Sequence, residues 1–287
     1  MQHQPFIWIV VPVFERENYI LNLVEQLKQQ TYKNYNLIVV DHGKNKIKEI
    51  PDSNVEILSA SPDLWWTGAI NNGIRHVLEN KNISLKTPIL VINDDVSIGK
   101  NYLSNLISDW KNDEYVMIGS LGVEPNSSKI IYANIIFNKI KAKYEFVNTS
   151  NKVENLKDCL LPSDLLPGRG TLIPAKIFMD IGLYDEKRLP HYWADYELIS
   201  RAKKRGYDAF VSGNSIVYTA INIPNKLNRD NLLNSLLSAL FGRKSSSNLK
   251  DLFRFSFLNF NLIYGAYFFF INSLRNIGYI LLKSFTS

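Results

Sequence analysis

The chain predicts an α/β protein built on a mainly parallel, doubly wound sheet. Three observations carry that expectation. As far as Asp95, apolar runs alternate with stretches of helical period, the signature of strand–helix–strand units. The runs at residues 7–13, 37–40 and 88–92 are continuously apolar rather than alternating, as strands covered on both faces must be. Two of them end directly on acids, Asp41 and the string Asn93-Asp94-Asp95, at the strand ends where open α/β sheets place their ligands.

Residues 7–13 form the first strand, broken in composition only by Pro12. A helix follows over 17–30, where Tyr19, Ile20, Leu23, Val24 and Leu27 fall at helical spacing. Residues 37–41 and 55–58 read as the next two strands. Ala69, Ile70, Gly73, Ile74, Val77 and Leu78 mark a second helix, with Thr67 as its expected cap. The strand over 88–92 comes next. Beyond residue 112 the regularity loosens. Strands are expected at 116–123 and 130–137, with 139–146 pairing one of them, and at 208–211 and 215–218. A short helix is expected at 175–181, and an acidic helix start within 191–206.

The 287 residues suffice for one large domain, or for one domain with an appendage. Aromatics, at 12%, leave rings for stacking a base or a sugar. The single cysteine, Cys159, excludes an internal disulfide and fits a reducing compartment. The first strand begins without a basic stretch or a cleavage signature ahead of it, so no signal peptide is expected. The net charge of +6 lies entirely in residues 222–287, where eight Lys/Arg face two Asp. A neutral body with a basic, aromatic tail predicts an anionic partner surface. The basic residues are spread among Phe, Leu and Ile, which points to membrane lipid and away from nucleic acid.

Residues 255–274 carry no charge, a run of sufficient length to cross a bilayer. Ser256, Asn259, Asn261, Asn272 and Ser273 interrupt it, and asparagine is costly at the bilayer centre. With Tyr264, Tyr267 and Tyr279 as interface residues, and Arg254, Arg275 and Lys283 in reach of head groups, helices lying on the membrane are expected rather than a span. Packing on the protein's own core, or on a second copy, is the alternative.

Several polar groups stand where chemistry is expected. Two carboxylates beyond a buried strand can hold Mg²⁺ or Mn²⁺, ions that take further ligands from water and substrate phosphates; the alternative is a solvated acidic loop. Asp41 can accept from a base edge or cap the next turn. Trp65 and Trp66 are either walls of a sugar pocket or core and lid. Gly168 and Gly170 flank Arg169 in a loop. Asp195 begins a helix, whose dipole keeps it ionised, and serves either as a proton acceptor or as a cap. Glu197 and Arg201 are spaced for an ion pair on one helix face.

Together the pieces VPVFERENY, LIVVDHG, WTGAINNGI, LVINDDV and IGLYDE…HYWADYELISRAKKRGY resemble glycosyltransferase family 2, whose members are inverting enzymes of the GT-A fold. The likeness spans about residues 6–220 and looks closest to rhamnosyl- and galactofuranosyltransferase-like members that build bacterial surface polysaccharides. It implies a GT-A domain over 1–221, with a nucleotide-binding half to about 112 and a smaller, antiparallel acceptor half from 113. Residues 222–287 follow as a helical tail. Pro12, Val13, Glu15 and Asp41 would line the nucleotide, and Gly68, Asn71, Asn72 and Asp94 the donor. Asn93 and Asp95 take the outer places of the metal motif. Arg169, Gly170 and Thr171 border the donor sugar, Asp195 is the base, and Trp66, His191, Trp193 and Glu197 stand on the acceptor side. Three departures are Asn93 for an acid, Ala194 for the acid often preceding the base, and Tyr218-Thr219 where many members carry a histidine.

The expected activity is metal-dependent hexosyl transfer from a nucleoside-diphosphate sugar, UDP or dTDP type ahead of GDP, to a lipid-linked glycan. The expected location is cytoplasmic, peripheral on the inner face of the membrane, with homo-oligomers open. The departures equally suit a catalytically weak sugar-nucleotide-binding subunit of a polysaccharide assembly complex.

Overall fold

The computed structural model describes residues 4–220 and 232–285. Its strands and helices run β1 (Ile7–Val13), α1 (Glu17–Lys28), β2 (Tyr35–Asp41), β3 (Val55–Ser59), α2 (Trp65–Asn80), β4 (Pro88–Val91), β5 (Ser97–Ile98) and α3 (Tyr102–Trp110). There follow β6 (Val116–Val123), β7 (Ile130–Tyr132), β8 (Ile135–Asn138), β9 (Lys143–Phe146), β10 (Leu160–Pro162), β11 (Thr171–Pro174), α4 (Ala175–Ile181), α5 (Ala194–Lys204) and β12 (Asp208–Tyr218). The last three helices are α6 (Leu232–Phe241), α7 (Leu249–Asn259) and α8 (Leu262–Phe285).

The main sheet runs β10-β12-β6-β11-β4-β1-β2-β3. Strands β4, β1, β2 and β3 are mutually parallel, as are β6 and β12, whereas β11 lies antiparallel between β4 and β6. The buried apolar runs follow from burial on both faces. Along β1, Ile7, Ile9, Val11 and Val13 meet α1 and α3 on one side; Trp8 and Val10 meet α2 on the other. Helix α2 lies very close to the sheet. A Cβ on Gly73 would fall 2.9 Å from Val40 Cγ2 and collide with Val10, so the glycine serves packing.

Four local expectations are corrected. The stretch 130–137 divides into β7, on β6, and β8, on β9; between them Asn134 turns its side-chain amide onto the Pro162 carbonyl at 2.8 Å. The two short strands near 210 are one bulged strand, β12, whose register shifts between Ser212 and Ile216. Helix α2 begins at Trp65, so Thr67 lies inside its first turn and donates to the Leu189 carbonyl (2.8 Å). Helix α3 was not anticipated, although Leu103, Leu106 and Trp110 are buried at helical spacing.

The tail packs on the body. Leu252 and Phe255 of α7 and Phe268 of α8 close a core with Ala142, against which Phe137, Tyr144, Trp193 and Tyr196 pack. Packing on the protein's own core, the alternative expectation, therefore accounts for one face of these helices. Among the described residues no helix is long and apolar enough to cross a membrane. The expected boundary at 221/222 and the Lys283 side chain lie outside the described residues.

Candidate active site

Parallel β1, β2 and β4 end at one edge of the sheet, with Val13 paired to Asp41. Pro12 and Val13 are buried in the strand. Asp41 is buried too, its Oδ1 accepting from the Gly43 amide (2.9 Å) and its Oδ2 from the Ile47 amide (2.7 Å). Glu15 has a left-handed backbone (φ 55°). Its carboxylate takes the Asn45 side-chain amide at 2.8 Å and the Asn45 and Lys44 backbone amides, bonds that hold it below the usual carboxylate range. The two acids thus build the loop 42–47. Inside it, His42 lies against Phe14 at 5.2 Å, and burial keeps its imidazole neutral, with a pKa lowered to about 4.

Beyond β4, the acid pair shares one cation. Arg16 Nη1 lies 3.2 Å from Asp94 Oδ1 and 3.2 Å from Asp95 Oδ2. Burial pushes Asp94 up to about 6; the Asp95 charge adds to this and Arg16 opposes it. Burial works against the Arg16 charge, but the two carboxylates outweigh it and raise its pKa. The other oxygen of Asp95, Oδ1, is buried without a partner. Asn93 Oδ1 accepts the indole N–H of Trp66 at 2.9 Å. Arg16 was not singled out from sequence, although a basic residue just past β1 faces acids just past the neighbouring β4.

The opposite wall comes from the loop before β11 and the start of α5. Asp195 Oδ2 accepts from the Gly168 amide (3.0 Å) and Oδ1 from the Tyr196 amide (2.9 Å). Burial nevertheless raises its pKa above the ordinary value. The ring of Trp66 packs on Gly168 so closely that a Cβ there would fall 2.6 Å from Trp66 Cζ2. Asn93, Trp66, Gly168 and Asp195 therefore form one continuous chain of contacts between the end of β4 and the start of α5. Tyr132, buried behind it, has its hydroxyl pKa pushed up first by burial and then by the charges of both Asp95 and Asp195, with Arg169 opposing. Its hydroxyl donates to the Arg169 carbonyl at 3.3 Å. Arg169 Nη1 donates to Thr219 Oγ1 at 3.3 Å. Gly170 adopts φ 94° against Tyr102 and Ser120, where a side chain has no room.

Other expected site residues are engaged elsewhere. Asn71 is buried, donating to the Tyr184 carbonyl (2.8 Å) and to Glu186 Oε2 (2.9 Å) while accepting from the Tyr184 amide (3.0 Å). These bonds make it a strut between α2 and the turn before α5. Asn72 is half-buried beside it on α2, and Gly68 sits in the first turn against Leu64. The Thr171 hydroxyl donates to the Pro167 carbonyl (2.7 Å), closing its own loop. Glu197 is buried and pairs with Arg201 at 2.9 Å, and Arg201 also donates to the carbonyls of Ile181 and Leu183. This ion pair fixes the chain after α4, with both carboxylate oxygens of Glu197 taken by Arg201. Trp193 is left-handed (φ 69°), and its ring lies on Phe255 of the tail (4.6 Å). His191 meets Trp65 edge-on at 5.9 Å, with Nδ1 buried and unpartnered.

The family model for glycosyl transferase family 2 matches residues 8–160. An uncharacterized glycosyltransferase of Rickettsia bellii is 25% identical over 198 residues, covering 68% of this chain and 27% of that protein. One from Rickettsia typhi is 29% identical over 205 residues, covering 68% and 58%. The chain thus spans roughly a quarter to three fifths of these relatives' lengths. Among solved structures, GalNAc-T7 with UDP, GalNAc and Mn²⁺ superposes with a TM-score of 0.62 at 13% identity, over 98% of this chain and 57% of that one. A Pyrobaculum calidifontis mannosyltransferase with GDP-Man and Mn²⁺ gives 0.58 at 12%, over 100% and 76%. At such identities these two likenesses speak to architecture, the GT-A arrangement of a mixed sheet between helices. The family match covers more than half of the chain, from β1 to the start of β10, and on that ground the chain belongs to glycosyl transferase family 2.

Proposed function

We propose that the chain is an inverting glycosyltransferase. It moves a sugar from a nucleoside diphosphate donor, of UDP or dTDP type, to a hydroxyl of a lipid-linked glycan in surface polysaccharide synthesis. The observation that carries the reading is the contact chain Asn93–Trp66–Gly168–Asp195, which joins the acids after β4 to the acid opening α5. An acid suited to steadying a diphosphate and one suited to activating an alcohol are thereby linked through two intervening residues.

Asp95 fits a hard divalent ion. Its Oδ1 is buried and bonded to nothing, and Mg²⁺ or Mn²⁺ bind through one or two carboxylates, completing their shell with water and substrate phosphate. The described residues hold no group of three or more His, Cys, Asp or Glu around one position, so an ion at Asp95 would need water and substrate phosphate to complete its shell. Asn93, whose oxygen already takes the Trp66 N–H, adds little. Both solved neighbours above hold Mn²⁺, one with UDP and one with GDP-Man. Bound at Asp95, the ion would neutralise the departing diphosphate.

The chain's own residues supply the rest. Asp195 takes the proton of the acceptor hydroxyl as that oxygen attacks the anomeric carbon opposite the diphosphate, so one displacement inverts the centre. The Gly168 and Tyr196 amides fix its carboxylate, and its raised pKa makes it a better base than a solvated aspartate. The Gly168 and Tyr196 amides, and after them the Arg169 charge, oppose the rise that burial causes. On the donor side, Pro12, Val13 and Glu15 shape the nucleotide pocket. Each oxygen of Asp41 holds one backbone amide and keeps a lone pair for the base edge. Trp66 and His191 cover the sugar from water. The enzyme works at the cytoplasmic face of the membrane, where a lipid-linked acceptor resides.

A thermal-shift screen of UDP-, dTDP- and GDP-sugars with and without Mn²⁺ tests this. A rise in melting temperature with a UDP- or dTDP-sugar, dependent on Mn²⁺ and followed by transfer, is expected. No response to any nucleotide sugar overturns it. The engagement of Asn93 by Trp66 and of both acids by Arg16 favours the second reading, a sugar-nucleotide-binding subunit, which binding without transfer or hydrolysis would establish.

A further inference from the structure

The buried face of the tail is spoken for; its opposite face is not. Along α8, Ile263, Tyr267, Phe270 and Leu274 recur at i, i+4, i+7 and i+11, one stripe of a helix. Ile263 is 85% exposed, Phe270 60% and Leu274 52%. A second element joins them. The β8–β9 turn carries Lys139-Ile140-Lys141-Ala142 and leads into Lys143 at the start of β9, with Ile140 88% exposed. The Tyr267 hydroxyl donates to the Ile140 carbonyl (2.7 Å), and that of Tyr264 to the Lys139 carbonyl. Asn272 and Arg275 donate to the Ala142 carbonyl at 2.8 and 3.0 Å. The turn is thus pinned along three turns of α8, beside the apolar stripe.

We infer that this combined face, the α8 stripe with the Ile140 tip, is the surface by which the protein lies on a bilayer containing anionic lipid. Single exposed apolar residues are ordinary, but a contiguous set marks an interaction surface. Its rim selects the occupant. Lys139, Lys143 and Arg275 are exposed around it; Lys141 is matched by Glu145 at 3.2 Å. An apolar strip rimmed by cations and tyrosine, without an acid on the strip itself, suits head groups and acyl chains together. A second copy would set these cations against their own kind.

The position serves catalysis, and here the inference rests on the lipid-linked acceptor proposed above. Phe268, on the buried side of α8, shares a core with Trp193 and Tyr196, which flank Asp195 in the sequence. The layer on the membrane is therefore packed against the helix carrying the base.

The test is flotation of the full chain with vesicles of phosphatidylcholine alone and with phosphatidylglycerol added. Wild type should float with the anionic vesicles and release as salt rises. Lys139→Glu with Lys143→Glu should weaken binding about tenfold or more, and Ile140→Ser with Phe270→Ser should do the same at any salt. Both pairs lie on exposed positions, and circular dichroism confirms folding. Wild-type binding left unchanged by both pairs overturns this surface while leaving membrane association to another part of the chain. Absence of any binding overturns the surface without touching donor binding, which the thermal-shift screen reads separately. A wild-type dimer that the Ile140/Phe270 pair converts to monomer also overturns it, in favour of a copy-to-copy interface.

Discussion

The indole N–H of Trp66 is bonded to the side-chain oxygen of Asn93 across 2.9 Å, while its ring lies on the backbone of Gly168. One tryptophan thereby fixes the distance between the acids after β4 and the loop that holds Asp195. Trp66→Phe removes the hydrogen bond and also the outer ring atoms, Cζ2 among them, that lie on Gly168, a combined loss of about 2–4 kcal/mol. We expect a clear drop in melting temperature and a fall in turnover of roughly tenfold, because misalignment is costly to positioned chemistry. Steady-state kinetics beside calorimetry checks it; unchanged turnover would show that the bridge is not used.

Asp195→Asn should lower turnover about 10²–10⁴-fold, the usual worth of a positioned base, with donor affinity largely kept. Transfer by this variant at near wild-type rate would remove Asp195 from the reaction.

Chelation should abolish transfer. Asp95→Ala should weaken Mn²⁺ and nucleoside-diphosphate binding together, measured by titration calorimetry. Transfer that survives EDTA, with diphosphate binding unaltered in the variant, would retire the metal.

Asp94 carries a pH signature. Its pKa is about 6 in the fold against 3.8 for an unperturbed aspartate. A group raised in this way gives its full stability below about pH 4 and loses it as pH climbs through 6. Above that, the ionised, buried carboxylate is a burden. Without divalent ion, Asp94→Asn should therefore be more stable than wild type at pH 8, on the order of 1–3 kcal/mol, with the difference gone near pH 4. Equal melting curves at both pH values would refute the shift.

Glu197→Gln should behave as a structural lesion. It leaves Arg201 without its buried partner, a loss of about 3–5 kcal/mol when such pairs are broken. A large fall in melting temperature is expected, with KM for acceptor little changed in the protein that remains folded. A selective rise in that KM at unchanged stability would return Glu197 to the acceptor site.

Chain order and burial were written in the sequence because a strand covered on both faces has almost no choice of residue. The runs ending at Asp41 and Asn93 gave strand, edge and acid in one reading, and helical spacing gave α1 and α2. Polar residues had no such constraint. Asn71, Thr171 and Glu197 stand in motif-like places, yet their hydrogen bonds go to backbone, to Glu186 or to Arg201. Arg16 meets Asp94 and Asp95, and Tyr132 lies near Arg169, only because segments distant in sequence fold together. Which polar atoms meet a neighbour and which are left for a ligand depends on contacts across tens of residues, and local pattern carries no record of those. The tail follows the same rule. Composition marked it as apolar and basic, and only the packing of Phe255 and Phe268 decided which face is core and which remains outward.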